Sequence, residues 1–280
     1  MVCLFAKNYT FAEQNKIQVR MTKALFFDID GTLVSFQTHE VPASTIEALE
    51  RAKAHGVGIY ISTGRPYALI NNIGSISHLV DGYISTNGAY CFVGDEVISS
   101  TPIPTEGVRQ VLDKADEMNF ACLVVGEKEC FMYHPLPEAE ALFSEILDID
   151  NLDQHVAKED ILKMRILQMT PFITEQQERQ IVSNLSGVDA CRWHPAFADF
   201  TAAGVSKAKG LREIALHHHL DIAHTMAFGD GGNDIAIIQA AGIGVAMGNA
   251  NDDVKAVADY VTTSVDDDGI SHALRHWRVI

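Results

Sequence analysis

Residues 23–33 read KALFFDIDGTL. From Lys23 to Ile29 the run is almost wholly apolar. It lacks the alternation of a strand that shows one face to water, so it reads as a strand buried on both faces. It ends in two carboxylates, Asp28 and Asp30, followed by Gly31 and Thr32. A strand covered on both sides belongs to a parallel sheet with helices on each face.

Working outward, residues 44–55 have the pattern of a helix. Ser44 and Glu47 have the form of a capping box, and Gly56 suits the position just past the end. VGIYI at 57–61 is a second buried strand. Thr63-Gly64-Arg65 is a turn, with Pro66 suited to the first position of a further helix. Residues 82–85 form a third strand. Strand, helix, strand, helix, strand implies an α/β fold with a doubly wound parallel sheet.

The pattern changes beyond residue 85. Residues 89–93 and 96–99 flank Gly94-Asp95, a hairpin signal. Val108, Val111, Leu112 and Ala115 mark an amphipathic helix. Strand-like runs follow at 121–125, 130–133 and 164–169, with helical runs at 138–147 and 174–185. This segment reads as an inserted α+β unit. Parallel order returns after about residue 190, with a helix at 206–217 and strands at 225–228, 243–246 and 260–262. The division expected is a core of residues 21–85 and 190–280, with an inserted domain at 86–189. Residues 1–20 are set apart as an N-terminal extension, Met21 being the expected functional start.

Composition narrows the function. The formal net charge is −16, which repels a phosphate backbone and argues against nucleic acid as a partner. No apolar run approaches the ~20 residues of a spanning helix, so no membrane partner is expected. The five cysteines form no Cys-x-x-Cys pair and read as reduced thiols of a cytoplasmic protein. His217-His218-His219 ends a helix, where histidine suits the dipole. Adjacent helical residues do not share a face, so the triplet is not read as a metal site.

In open α/β sheets the ligand crevice lies beyond the carboxyl ends of the strands. Three strand ends carry polar residues: Asp28 to Thr32, Ser62 to Arg65 and Gly229 to Asp234. An Asp-x-Asp-Gly sequence alone is compatible with a simple capped turn. After a buried strand, and with Asp230 brought to the same rim, it makes a hard oxygen cluster suited to Mg2+. Such an ion lets an anionic phosphate approach an anionic nucleophile. A carboxylate can take a phosphoryl group covalently, and a second one can move the protons. Asp28 and Asp30 fit those two tasks. Thr63 with its neighbouring N–H groups suits an anion nest, though its hydroxyl also suits helix capping. Lys207 is a cation at a helix start, where the dipole disfavours it; Lys209 is its nearby competitor. Arg65 either faces a ligand or pairs with a core acid.

FFDIDGTLV, ISTGR, the lysine of GVSKAKGL and FGDGGNDIAII resemble, in order, the four signatures of the haloacid dehalogenase superfamily. STNGAY at 85–90 and the large insert before Lys207 resemble its Cof-type branch, whose C2-type cap is inserted between the second and third signatures. The likeness covers residues 21–280. It implies Asp28 as nucleophile and Mg2+ ligand, and Ile29 as a backbone donor to phosphate. It implies Asp30 as acid/base and as a Mg2+ ligand through its carbonyl. Thr63, Gly64, Lys207 and Asn233 would bind phosphate, Asp230 would complete the metal site, and Asp234 would support the metal from behind or through water. The activity implied is a Mg2+-dependent phosphatase of small phosphorylated metabolites, sugar phosphates in particular. A sugar phosphomutase is the near alternative. A phosphoacceptor module or a metabolite-binding protein without turnover is the distant one. Leaving-group specificity is expected in the insert, with Glu127, Lys128, His134 and Arg165 as candidates.

Overall fold

The computed structural model describes residues 22–127, 129–147 and 156–280; the N-terminal extension and Lys128 lie outside the described residues. Two sheets organise the chain. The first has eight strands. In chain order they are β1 (Ala24–Phe27), β2 (Gly58–Ser62), β3 (Gly82–Ser85), β4 (Tyr90–Val93), β5 (Glu96–Ser100), β11 (Thr225–Gly229), β12 (Ile243–Ala246) and β13 (Tyr260–Val261). They lie side by side as β13-β12-β11-β1-β2-β3-β4-β5. From β13 to β3 all neighbours are parallel, and β4 and β5 add an antiparallel edge.

The apolar run at 24–27 does what its sequence predicts. Leu25 and Phe27 enter one core with Leu49 of α1 (Ala43–Ala54) and Leu274 of α9 (Gly269–His276). Ala24 and Phe26 enter another, on the opposite face, with Leu211 and Ile214 of α6 (Lys207–His217). Strand β1 sits between β2 and β11, so the chain departs in opposite directions on its two sides. That is the switch point where a crevice opens beyond the strand ends.

The second sheet has five strands. These are β6 (Cys122–Val125), β7 (Cys130–Tyr133), β8 (Gln168–Pro171), β9 (Val188–His194) and β10 (Phe197–Ala202), ordered β7-β6-β8-β10-β9 and wholly antiparallel. Val108, Val111, Leu112 and Ala115 of α2 (Thr105–Met118) pack with Val124, Met169 and Phe200 on one face. The other face includes Leu123, which packs with Phe143 of α3 (Pro137–Leu147) and Leu69 of the first sheet's loops.

Several expectations shift. The hairpin at 90–100 continues the first sheet, because β4 pairs with β3. Residues 188–202 form two strands of the second sheet, so parallel order resumes at α6 and not near residue 190. The chain therefore changes sheets at 101–121 and 203–224, both later in the chain than the expected limits of 85 and 190. Helix α4 (Lys158–Ile161) runs on in turns that bond Lys163 and Met164 to Asp160 and Ile161, which moves the strand expected at 164–169 to Gln168–Pro171. Pro42 caps α1, so Ser44 lies inside the helix, and its hydroxyl donates to Asp268 in place of a capping box. After Pro66 there is one 3-10 turn (Tyr67–Leu69), since the Leu69 carbonyl accepts from the Arg65 side chain. Thr174 and Gln177 do form a capping box, on α5 (Glu175–Val182).

Candidate active site

The loop after β1 turns back at once. The Ile29 carbonyl accepts from the N–H groups of Leu33 and Val34, and the Gly31 N–H donates to Val34. Gly31 has φ +84, and a Cβ there would meet Asp230 Oδ2 at 2.3 Å. Only glycine allows that approach. Thr32 then donates to Asp230 Oδ1 at 2.8 Å, tying the first loop to the loop after β11.

Asp28, Asp230 and Asp234 each bring a carboxylate oxygen into one cluster, all within 4.8 Å of one another. Lys207 lies across it. Its Nζ donates at 2.6 Å to Asp28 Oδ1 and at 2.6 Å to Asp234 Oδ1. The Lys207 side chain is 0% exposed. Asp234 Oδ2 accepts from the backbone N–H groups of Asp230 and Gly231, so the loop is folded around that carboxylate.

These charges do not balance. Burial pushes the Asp28 carboxyl well above the usual carboxylate range, against the pull of Lys207, and the neighbouring aspartates push it the same way. Burial and Asp234 push Asp230 up to about 7. Burial opposes the charge on Lys207, yet Asp234 and Asp28 hold it above an ordinary lysine. With all four carboxyls ionised, Asp28, Asp30, Asp230 and Asp234 would face two cations, Lys207 and Arg65, an excess of two negative charges that holding a proton or a cation relieves. An all-oxygen set with that excess fits a hard divalent cation.

Asp30 belongs to a different network. Arg65 grips it with both arms, Nε to Oδ2 at 2.7 Å and Nη2 to Oδ1 at 2.8 Å, and Asn72 adds a bond at 3.3 Å. The open choice for Arg65 is resolved in favour of the acid. Thr63 Oγ1 accepts from the Arg65 N–H at 3.0 Å. The segment after β3 closes this side: Thr86 N–H donates to the Arg65 carbonyl and Asn87 N–H to the Thr63 carbonyl.

A pattern defining the haloacid dehalogenase-like hydrolases matches residues 25–274. This chain is a haloacid dehalogenase-like hydrolase. It is 48% identical to the subclass IIB sugar phosphatase BT4131, with a TM-score of 0.89 covering 92% of this chain and 100% of that one. It is 39% identical to the phosphatase BT1666 from Bacteroides thetaiotaomicron, with a TM-score of 0.85 covering 94% and 97%. YkrA of Bacillus subtilis (strain 168), to which a phosphatase activity is attributed, is 33% identical over 260 residues, 91% of this chain and 97% of its own length. The hydrolase is a phosphatase with the family's Rossmann-like core and cap.

Of the residues read from the sequence, Asp28, Asp230, Asp234 and Lys207 meet directly, and Asp30 stands beside them on Arg65. Lys209 is elsewhere, donating to Thr101. Asn233 does not touch the carboxylates; its side chain donates to Asn87. Among the cap candidates, Arg165 pairs with Glu127 and Ser100, and His134 with Asp116. The carboxylate cluster among the described residues includes no histidine. Sequence reasoning missed four buried polar residues of the second sheet: Gln168, Thr170, Asp199 and Thr201. Their signal was a lone charge in the apolar run FADF at 197–200. No helix among the described residues is long and apolar enough to cross a membrane.

Proposed function

We propose that this phosphatase hydrolyses phosphomonoesters of small metabolites, sugar phosphates foremost, with Mg2+ and an aspartyl-phosphate on Asp28. The observation that carries this reading is the convergence of the Asp28, Asp230 and Asp234 carboxylates with the buried Lys207 at the switch point, an acidic set in formal excess over its cations. Asp28, Asp230 and the Asp30 carbonyl would hold the ion, with Asp234 behind them. When bound, Mg2+ supplies the charge that lets the phosphate dianion approach a carboxylate.

The chain's own groups do the rest. Asp28 attacks phosphorus as the bond to the leaving oxygen breaks, and Asp30 gives that oxygen its proton. Water then attacks the aspartyl-phosphate, Asp30 takes back a proton, and Asp28 is restored. Phosphoryl transfer needs positioning and charge neutralisation above all. Lys207, Thr63, Asn233 and the backbone N–H groups of Ile29 and Gly64 would supply it. Arg65, with its two parallel bonds, fixes the direction of Asp30 as a single point charge could not. The likeness to sugar phosphatase BT4131 favours sugar phosphates as the substrate class.

The test is phosphate release from a panel of hexose and pentose phosphates, with and without Mg2+, for the wild type and Asp28→Asn. Metal-dependent release that is lost in the variant is the expected result. Isomerised sugar phosphate without free phosphate would turn the reading to a mutase. Stable phosphate on Asp28 without turnover would turn it to a phosphoacceptor.

A further inference from the structure

The second sheet reaches the loops of the first through buried polar side chains, with the Asp199 carboxylate at their centre. Asp199, in the middle of β10, is 3% exposed. Its Oδ1 accepts from Thr170 at 2.7 Å and Gln168 at 3.1 Å, both on β8 of the same sheet. Its Oδ2 accepts from Asn87 Nδ2 at 2.9 Å, across the divide between the two sheets. Asn87 Oδ1 accepts in turn from Asn233 Nδ2 at 3.1 Å. Gln168 makes a second crossing, donating to the Gly64 carbonyl at 3.3 Å.

Direction matters in this chain. A carboxylate only accepts, whereas an amide has a donor end and an acceptor end. Asp199 therefore obliges Asn87 to present its NH2 to the second sheet and its oxygen to Asn233. Asn233 must then answer with its own NH2, which carries a second hydrogen for another acceptor. Asn87 is itself held in place. Thr86, Asn87 and Gly88 have φ of 50, 53 and 98, three left-handed residues in a row. A Cβ on Gly88 would meet the carbonyl of Ser206, the N-cap of α6, at 2.3 Å. Such a strained segment persists only where its surroundings over-determine it.

We propose that Asp199 is a positioning residue, which through Asn87 turns the amide of Asn233 donor-first toward the phosphoryl site and so makes that side of the site depend on the docked second sheet. The inference rests on Asn233 being a phosphate donor. Asp199 itself touches no reacting atom.

A double-mutant cycle on orthophosphate binding tests it, by calorimetry on the full chain with Mg2+ at a fixed saturating concentration. The proteins are the wild type, Asp199→Asn, Asn233→Ala and the double variant. Each single change should weaken binding about 10-fold, the loss that follows removal of one bond to a charged group. The double variant should bind no more weakly than Asn233→Ala, because one residue acts through the other. Losses that multiply, an Asp199→Asn variant that binds as the wild type does, or a wild type that binds no orthophosphate would each overturn the proposal. If Asp199→Asn does not fold, Asn87→Gly takes its place in the cycle, since glycine keeps the left-handed backbone. Phosphate release is assayed separately, so the cycle can fail while the phosphatase reading stands, and release can fail while the cycle holds.

Discussion

In the eight-stranded sheet, β1 is buried and apolar from Ala24 to Phe27, and its carboxylates come only once the strand has ended. In the five-stranded sheet, Gln168, Thr170, Asp199 and Thr201 lie within the strands, and they too are buried. One sheet offers its polar groups from loops, the other from a face. Loops bring backbone N–H groups and adjustable geometry, which suit holding charge around a reacting atom. A sheet face brings side chains at a fixed two-residue spacing, which suits bracing what the loops have placed. On the proposed function, chemistry belongs to the first sheet and support to the second.

The hardest blow falls at the end of β1. Asp28→Asn should lower phosphate release by a factor on the order of 10⁴, with the fold intact by circular dichroism. A rate close to that of the wild type would move the chemistry off the first sheet. Lys207→Met leaves Asp28 and Asp234 buried without their cation. It should destabilise the metal-free chain by about 3–5 kcal/mol in urea unfolding, with part of the loss restored by Mg2+. Next comes Arg65→Lys, which replaces a fork with a point charge. A fall in kcat of about 10–100-fold is expected, with a loss of stability smaller than that of Lys207→Met.

Proton competition is a smaller effect. In the folded, metal-free chain Asp230 titrates at about 7, against an ordinary value of 3.8. A group raised by folding contributes stability below its unfolded value and loses it as pH rises through the folded one. The metal-free chain is thus favoured on the acid side of that window, where the proton also competes with the ion. Mg2+ should raise the unfolding midpoint more at pH 8 than at pH 5.5, the difference amounting to about 1–2 kcal/mol. The smallest effect is reserved for the second sheet. Thr170→Val removes one donor to Asp199 and should cost about 1 kcal/mol in stability by denaturant unfolding. A loss as large as that of Lys207→Met would erase the distinction between the two regions.

The same division explains what could be read in advance. Strand-end carboxylates stand out because they interrupt apolar runs, so Asp28, Asp30, Asp230 and Asp234 were legible, as was Lys207 at a helix start where the dipole disfavours it. Polar residues on a sheet face stand out less, and Asp199 in FADF is the one charge among them. Gln168-Met169-Thr170 and Asp199-Phe200-Thr201 alternate in the manner of a strand with one wet side, and nothing local says that a second body dries it. Nor could spacing decide whether Arg65 turns to a ligand or to Asp30, 35 positions away. The limits of the insert slipped for a related reason. A hairpin at 90–100 looks the same whether it edges the first sheet or opens the second, since only its pairing with β3 assigns it.

Strand β1 lies between β2, made soon after it, and β11, whose Thr225 pairs with Ala24. A ribosome adding about 5–20 residues per second needs roughly 10–40 s to span the ~200 residues between those partners. Strands of the five-stranded sheet, gathered within residues 122–202, all emerge during that interval. The brace can therefore be folded before the thing it braces. Through the same interval β1 has its β2 edge filled and its β11 edge bare, a ready template for a wrong partner. Asp28, at the tip of that strand, acquires Lys207 and Asp234 only after nearly three quarters of the chain has been made, so a truncated product of synthesis carries that carboxylate without its ammonium partner.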